Sequence, residues 1–146
     1  MNDAEYMRLA LALAEQGRGW TAPNPMVGAV IVKDGAVIGQ GWHERYGEPH
    51  AERNALASCT ADPAGATMYV TLEPCPMCAG AIVQARIPRI AVGCMNPKAG
   101  CAGSVLDMLH VPGFNHQAEV AEGVLEQECS KLMSDFFQNL RERKKK

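Results

Sequence analysis

In "GEPHAERNAL", His50 is followed two places later by Glu52, and in "LEPCPMC" only Pro76 and Met77 separate Cys75 from Cys78. An imidazole and two thiolates make three good ligands for tetrahedral Zn2+ and leave its fourth position open. Zinc lowers the pKa of a bound water to about 7, so hydroxide is available at neutral pH. Glu52, so close to His50, is placed to take that water's proton and hand it on, as a proton shuttle and not a ligand. The expected set is His50, Cys75 and Cys78 around one Zn2+ per chain, with Glu52 as the catalytic acid–base.

Two blander readings compete. A C-x-x-C pair is also a redox motif, but that leaves His50-Ala51-Glu52 without a task. A structural zinc would be closed by a fourth ligand from Cys94, Cys101 or His43, and then Glu52 would have nothing to do. Cys59 and Cys129 read as small buried hydrophobes.

These residues must be held by alternating elements. A first helix is expected from about Ala4 to Gln16, with Leu9, Leu11 and Leu13 in its apolar portion and Gly17 and Gly19 ending it. "MVGAVIVKDGAVIGQGW" is two Val/Ile-rich strands joined by Asp34-Gly35, a type I′ hairpin signal. A short helix starts near His50, "ATMYVTL" is a strand, "PMCAGAIVQARI" a helix and "RIAVGC" a strand. The loop "MNPKAGCAG", a short helix around Leu106–Leu109, the strand "QAEVAE" and a long helix from about Leu125 complete the order. That order predicts an α/β fold, a mixed sheet of about five strands with helices on both faces. No repeat or composition break divides residues 1–146, so one domain is expected.

With 47% hydrophobic and 21% charged residues the composition is that of an ordinary globular protein. No run approaches the roughly 18 apolar residues of a membrane span. The N-terminus lacks the features of a signal peptide, so the cytoplasm is the expected location. There the six cysteines stay reduced, and a close pair favours metal or redox chemistry over a disulfide. Residues 1–130 carry 8 Lys/Arg against 14 Asp/Glu, whereas residues 131–146 carry 6 against 2 and end in "RERKKK". Such a tail suits phosphate contact, or equally the solvated end of a helix whose dipole favours cations there.

The H-A-E and P-C-x-x-C pairing matches the zinc nucleobase-deaminase signature, and the chain resembles the cytidine deaminase-like superfamily, which implies a three-layer α/β/α fold. From about "ATMYVTLEPCPMCAGAIVQARI" onward, through "PKAGCAGSVLDMLH", "FNHQAEV" and "EGVLEQECSKLMSDFFQNLR", it resembles the tRNA-specific adenosine deaminases (TadA). The stretch "TAPNPMVGAVIVKDGAVIGQGWHERYGEPHAERNAL" is instead similar to the deaminase domain of riboflavin biosynthesis (RibD). In that family the equivalents of Asn24 and His43 help hold a pyrimidine, while the tRNA enzymes usually have Asn at the place of His43. The riboflavin enzymes also space their zinc cysteines further apart, around a basic insertion that grips a phosphate. The chain therefore reads as two related halves meeting between about residues 57 and 68.

The resemblance implies a homodimer that deaminates adenosine to inosine at the wobble position of a tRNA anticodon stem-loop. Its alternatives are a small-molecule pyrimidine deaminase and a non-catalytic zinc-binding subunit. The expected substrate-binding residues are Asn24, Val27, His43, Asn96 and Lys98. His43 reads as a substrate contact or a rim histidine, Asn24 as a pocket residue or a rigid turn, and His110 as structural. Phe136 and Phe137 suit either core packing or base contact. Many tRNA deaminases have Asp where Asn96 stands. Removing that charge would ease the approach of a polyanion and admit single-stranded DNA, unless Asn96 is simply turn chemistry before Pro97.

Overall fold

The structure, a computed structural model, describes residues 1–145. The expected hairpin is present: β1 (Gly28–Lys33) and β2 (Ala36–Trp42) pair antiparallel, and Asp34 and Gly35 between them take φ of 52° and 77°. Two positive φ values in a two-residue loop are the type I′ turn that matches the right-handed twist of the strands.

A helix α1 (Asp3–Glu15) precedes the hairpin. After it come α2 (Ala51–Ala57), β3 (Thr67–Leu72), α3 (Pro76–Gln84), β4 (Arg89–Cys94), a 3-10 turn at Met108–His110, β5 (Glu119–Glu122) and α4 (Glu126–Lys145). The five strands form one sheet in the order β2-β1-β3-β4-β5. The hairpin and the β1–β3 pair are antiparallel, while β3–β4 and β4–β5 are parallel.

Successive residues of a strand point to opposite faces, and the strands obey this on both sides. Ala29, Ile31, Met68, Val70, Ile90 and Val92 join the core under α2 and α3. Val30, Val32, Tyr69 and Ala91 face the other way, into the core with α1 and with Cys129 of α4. Strands buried on both faces read as continuous apolar runs, which is why "GAVIV" and "RIAV" show little alternation. The helices on α2's side approach closely. A Cβ on Gly39 would lie 2.6 Å from the Ala55 carbonyl oxygen, and one on Gly41 would lie 2.5 Å from the Ala55 nitrogen. Bare glycine backbone on β2 thus lets α2, and His50 at its start, sit against the sheet.

Some expectations change. The buried face of α1 is Tyr6, Met7, Ala10, Leu13 and Ala14, and Leu9 is 39% exposed, because a 3.6-residue period cannot bury Leu9, Leu11 and Leu13 together. Helix α3 ends at Gln84 and not at Ile87, with Arg86 at φ 61°. The short helix expected around Leu106–Leu109 is a 3-10 turn slightly later. Cys129 is buried as expected, whereas Cys59 is only half-buried, its thiol donating to the Ala55 carbonyl. Phe136 is half-buried against Leu132 and Met26, and Phe137 is 38% exposed. Of the basic tail, Arg141 and Arg143 are exposed; the side chains of residues 144–146 lie outside what the structure describes. No described helix is long and apolar enough to cross a membrane.

Candidate metal centre and active site

The sheet topology gathers the chemistry-bearing residues at one edge. Cys75 follows the carboxyl end of β3 and Asn96 that of β4, the end where parallel α/β sheets place their ligands. Since β1 runs antiparallel to β3, the segment just before Gly28 lies at this same end, and so does His43, directly after β2. The Gly28 N–H donates to the Thr71 hydroxyl at 3.2 Å, tying the entry of β1 to the end of β3.

His50 is the N-cap of α2 and Cys75 the N-cap of α3, both with extended backbone. His50 Nδ1 lies 3.5 Å from Cys75 Sγ and 3.6 Å from Cys78 Sγ, and the three donor atoms all lie within 4.8 Å of one another. Tetrahedral zinc with Zn–S of about 2.3 Å and Zn–N of about 2.0 Å requires N···S separations of about 3.6 Å. The residues present fit the ion. Among the described residues no other cysteine, histidine or carboxylate joins this cluster, so the structural-zinc reading with a fourth ligand from Cys94, Cys101 or His43 gains no support.

The thiols are unequal. Cys75 is lowered to about 5, chiefly because its thiolate accepts from Cys78, with burial opposing and the N–H groups of Cys78 and Met77 adding to the effect. Cys78, the donor in that pair and wholly buried, is pushed up. A thiolate at the start of a nine-residue helix is the form that takes metal. Glu52 is 3% exposed, and burial pushes its carboxyl up to about 7. That value suits a group that must both take and give a proton near neutrality.

These residues open onto a cavity of about 230 Å³ whose wall includes Asn24, Val27, His43, Leu72, Glu73 and Asn96, with His50, Glu52 and Cys75 at its base. His43 is locked in place. Its Nδ1 donates to the Pro49 carbonyl at 3.1 Å, which leaves Nε2 to accept from the Asn24 amide at 3.4 Å. The rings of His43 and His50 meet edge-on with centroids 5.3 Å apart. Thus Asn24, Val27, His43 and Asn96 converge on one cavity with the metal cluster and Glu52.

Lys98 does not line that cavity. It lies in an adjoining groove of about 670 Å³ between the loop after β4 and α4, with Met133, Phe137 and Arg141, and Pro25, Leu72 and Asn96 are common to both spaces. His110 is outside both and pairs with Asp107 at 2.7 Å. Sequence reasoning passed over Glu73, Pro25 and Leu72. Glu73 was visible only as a residue of the "LEPCPMC" turn, and its partners are distant in sequence.

Residues 1–94 match the family model described as the cytidine and deoxycytidylate deaminase zinc-binding region. The chain belongs to that family of zinc-dependent deaminases. It is 45% identical to the tRNA-specific adenosine deaminase of Bacillus subtilis, over 98% of this chain and 93% of that one. It is also 46% identical to the riboflavin biosynthesis protein RibD of Actinobacillus pleuropneumoniae, over 94% of this chain but only 37% of the relative's length. A solved tRNA:A34 deaminase, from work on A-to-I editing at the wobble position of transfer RNA, superposes with a TM-score of 0.72 at 34% identity, covering 88% of this chain and 98% of the other. The tRNA-deaminase and riboflavin resemblances both run along nearly the whole chain, rather than each ending at its middle.

Proposed function

We propose that the protein is a hydrolytic deaminase that converts adenosine to inosine at the wobble position of a tRNA anticodon loop. The observation that carries this reading is the pair of joined spaces. A cavity of about 230 Å³ is smaller than the roughly 300–1,000 Å³ of ordinary ligand pockets and suits a single flipped base. The groove beside it offers Lys98, Arg141 and exposed Phe137 to the flanking backbone and bases.

In this reading His50, Cys75 and Cys78 hold the zinc, which supplies a Lewis acid that makes water nucleophilic at neutral pH. Water adds to C6 of adenine. Glu52 takes one proton of the water and delivers it to the ring nitrogen, then takes the proton of the new C6 hydroxyl and passes it to the exocyclic amine. The C6–N bond breaks, ammonia leaves and a carbonyl remains. Asn24, Val27 and His43 shape the wall around the ring, and burial of Glu52 keeps its carboxyl near the pKa this relay needs. The chain acts as one deaminase domain and as a homodimer. Support for the dimer comes from four exposed apolar side chains, Met77 on α3 and Val105, Leu106 and Phe114 in the segment around the 3-10 turn that packs on α3. Unpaired cysteines throughout suit a reducing compartment, the cytoplasm.

A second reading, deamination of a small phosphorylated pyrimidine, is favoured by one feature, the Asn24–His43 pair at the cavity wall. The chain spans 37% of the riboflavin relative, and its C-x-x-C turn holds no basic insertion. A silent zinc subunit would not need Glu52.

Ammonia release and product mass, measured in parallel on an adenosine-bearing anticodon stem-loop, on a single-stranded DNA with adenine and cytosine, and on the riboflavin-pathway pyrimidine, separate these readings. Inosine in the stem-loop is expected. Turnover of the pyrimidine alone would overturn the proposal.

A further inference from the structure

Glu73 is 2% exposed, yet the chemistry above does not use it. Its carboxylate accepts four hydrogen bonds from a single loop. The backbone N–H of Asn96 donates to Oε1 at 2.9 Å, and the Ser104 hydroxyl donates to the same oxygen; the N–H groups of Ala102 and Ser104 donate to Oε2, both at 2.9 Å. The loop bears on it so closely that a Cβ on Gly100 would lie 2.1 Å from Oε1. The backbone on either side joins in: the Glu73 N–H donates to the Cys94 carbonyl at 2.9 Å, and the Cys101 N–H donates to the Pro74 carbonyl at 2.8 Å.

Burying a carboxylate is costly unless strong donors replace its water, and hydrogen bonds to an ionised acceptor are the strong kind. Apart from one isolated bridge, Ala102 to Asp107, the segment between β4 and the 3-10 turn has no strand or helix to fix it. Turn bonds of its own, such as the Gly100 N–H to the Asn96 carbonyl at 2.8 Å and the Met108 N–H to the Cys101 carbonyl at 3.0 Å, close the loop on itself, and the carboxylate ties that loop to the end of β3. Asn96, which lines the cavity, is itself one of the donors, and Ala99 at the cavity and Lys98 in the groove lie between it and the donor at Ala102.

We infer that Glu73 is a positioning residue for substrate binding, a carboxylate clasp that sets where Asn96, Lys98 and Ala99 stand around the cavity mouth without taking part in zinc binding or proton transfer. The substrate half of this inference rests on the deaminase reading above; the clasp itself does not.

The test is Glu73→Gln, which keeps the shape but turns an NH2 group toward backbone N–H donors. Three quantities are measured: zinc content, amide hydrogen exchange across residues 96–104, and KM and kcat on the stem-loop. The expected result is unchanged zinc, exchange at Asn96, Ala102 and Ser104 faster by about tenfold or more, KM raised by about tenfold and kcat within about twofold. Zinc loss with loop exchange unchanged would overturn the inference and make Glu73 a support for the Cys75 turn. A fall in kcat at constant KM would overturn it as well. If Glu73→Gln fails to fold, Ser104→Ala removes one donor and should raise KM by about threefold, and no change in either KM or loop exchange would count against the clasp. If the wild-type enzyme deaminates no stem-loop, the function reading fails alone, and loop exchange still decides whether Glu73 holds the loop.

Discussion

Glu52 and Glu73 are the two most buried carboxylates among the described residues, at 3% and 2% exposure, and both border the same cavity. Their ionisation is opposite. Burial pushes both upward, and for Glu52 it prevails and raises the carboxyl to about 7. The chief group opposing that rise at Glu52 is its own backbone N–H. For Glu73 the Ser104 hydroxyl and three backbone N–H groups outweigh burial and hold the carboxyl below its usual range. Similar exposure thus yields one carboxyl raised toward neutrality and one held as a charged anchor. What separates them is both how heavily each is desolvated and how many fixed dipoles are aimed at it.

The largest effect should come from removing the poised group. Glu52→Gln keeps volume and burial but cannot relay a proton, so kcat on the stem-loop is expected to fall by about 10²–10⁴-fold with zinc content unchanged. Metal analysis alongside single-turnover kinetics checks this. Loss of zinc would mean that Glu52 is a ligand, and the contrast with Glu73 would then be one between a metal anchor and a loop anchor.

The difference between the two glutamates also marks how far the sequence could be read. The clustering of His50, Cys75 and Cys78 was legible because zinc restricts both residue type and spacing, and the place of Glu52 beside them because it lies two residues from His50. The strands were legible for a similar reason: their Val and Ile runs and the Asp34-Gly35 turn carry local signals. Glu73 carried none. Three of its four donors, at residues 96, 102 and 104, are backbone groups 23 to 31 positions away, which any sequence supplies, and the fourth is the hydroxyl of the equally distant Ser104. The orientation of His43 was hidden likewise, since the Pro49 carbonyl sets it. The buried face of α1 was misread because leucines were counted without asking which of them share a helical face. Lys98 was read together with Asn24, Val27, His43 and Asn96 but lines the adjoining groove, because which space a loop side chain faces is set by packing distant in sequence.

A new carboxylate on the loop that Glu73 holds sharpens the comparison at smaller magnitude. The Lys98 N–H donates to Asn96 Oδ1 at 3.3 Å, a turn bond across Pro97 that Asp can also make. Asn96→Asp therefore changes charge with little change of shape. It is expected to raise KM for a single-stranded DNA or stem-loop substrate by about threefold at low salt, with the difference shrinking as salt screens the phosphates. A salt titration of KM checks this. An unchanged KM would leave Asn96 as turn chemistry only.

Asp3 is the intermediate case and carries the smallest effect. Its carboxylate bridges α1 to the sheet, accepting from Arg89 Nη2 at 2.8 Å and from the Tyr69 hydroxyl at 2.7 Å, but its side chain is 42% exposed. The Arg89 hydrogen bond, followed by that of Tyr69, holds its pKa below the ordinary value. A carboxyl lowered by folding stabilises the folded state fully above its unfolded pKa, about 3.9, and that contribution is lost as pH falls through the folded value. Exposure screens the pair, so Asp3→Asn should lower Tm by only about 1–3 °C at pH 7. The gap between mutant and wild type should close as the melts are taken below about pH 4. A gap that persisted in acid would assign the loss to the geometry of the Tyr69 and Arg89 hydrogen bonds and not to charge. Asp3 would then resemble neither buried glutamate, because in both of those the balance of charge, burial and donors decides the role.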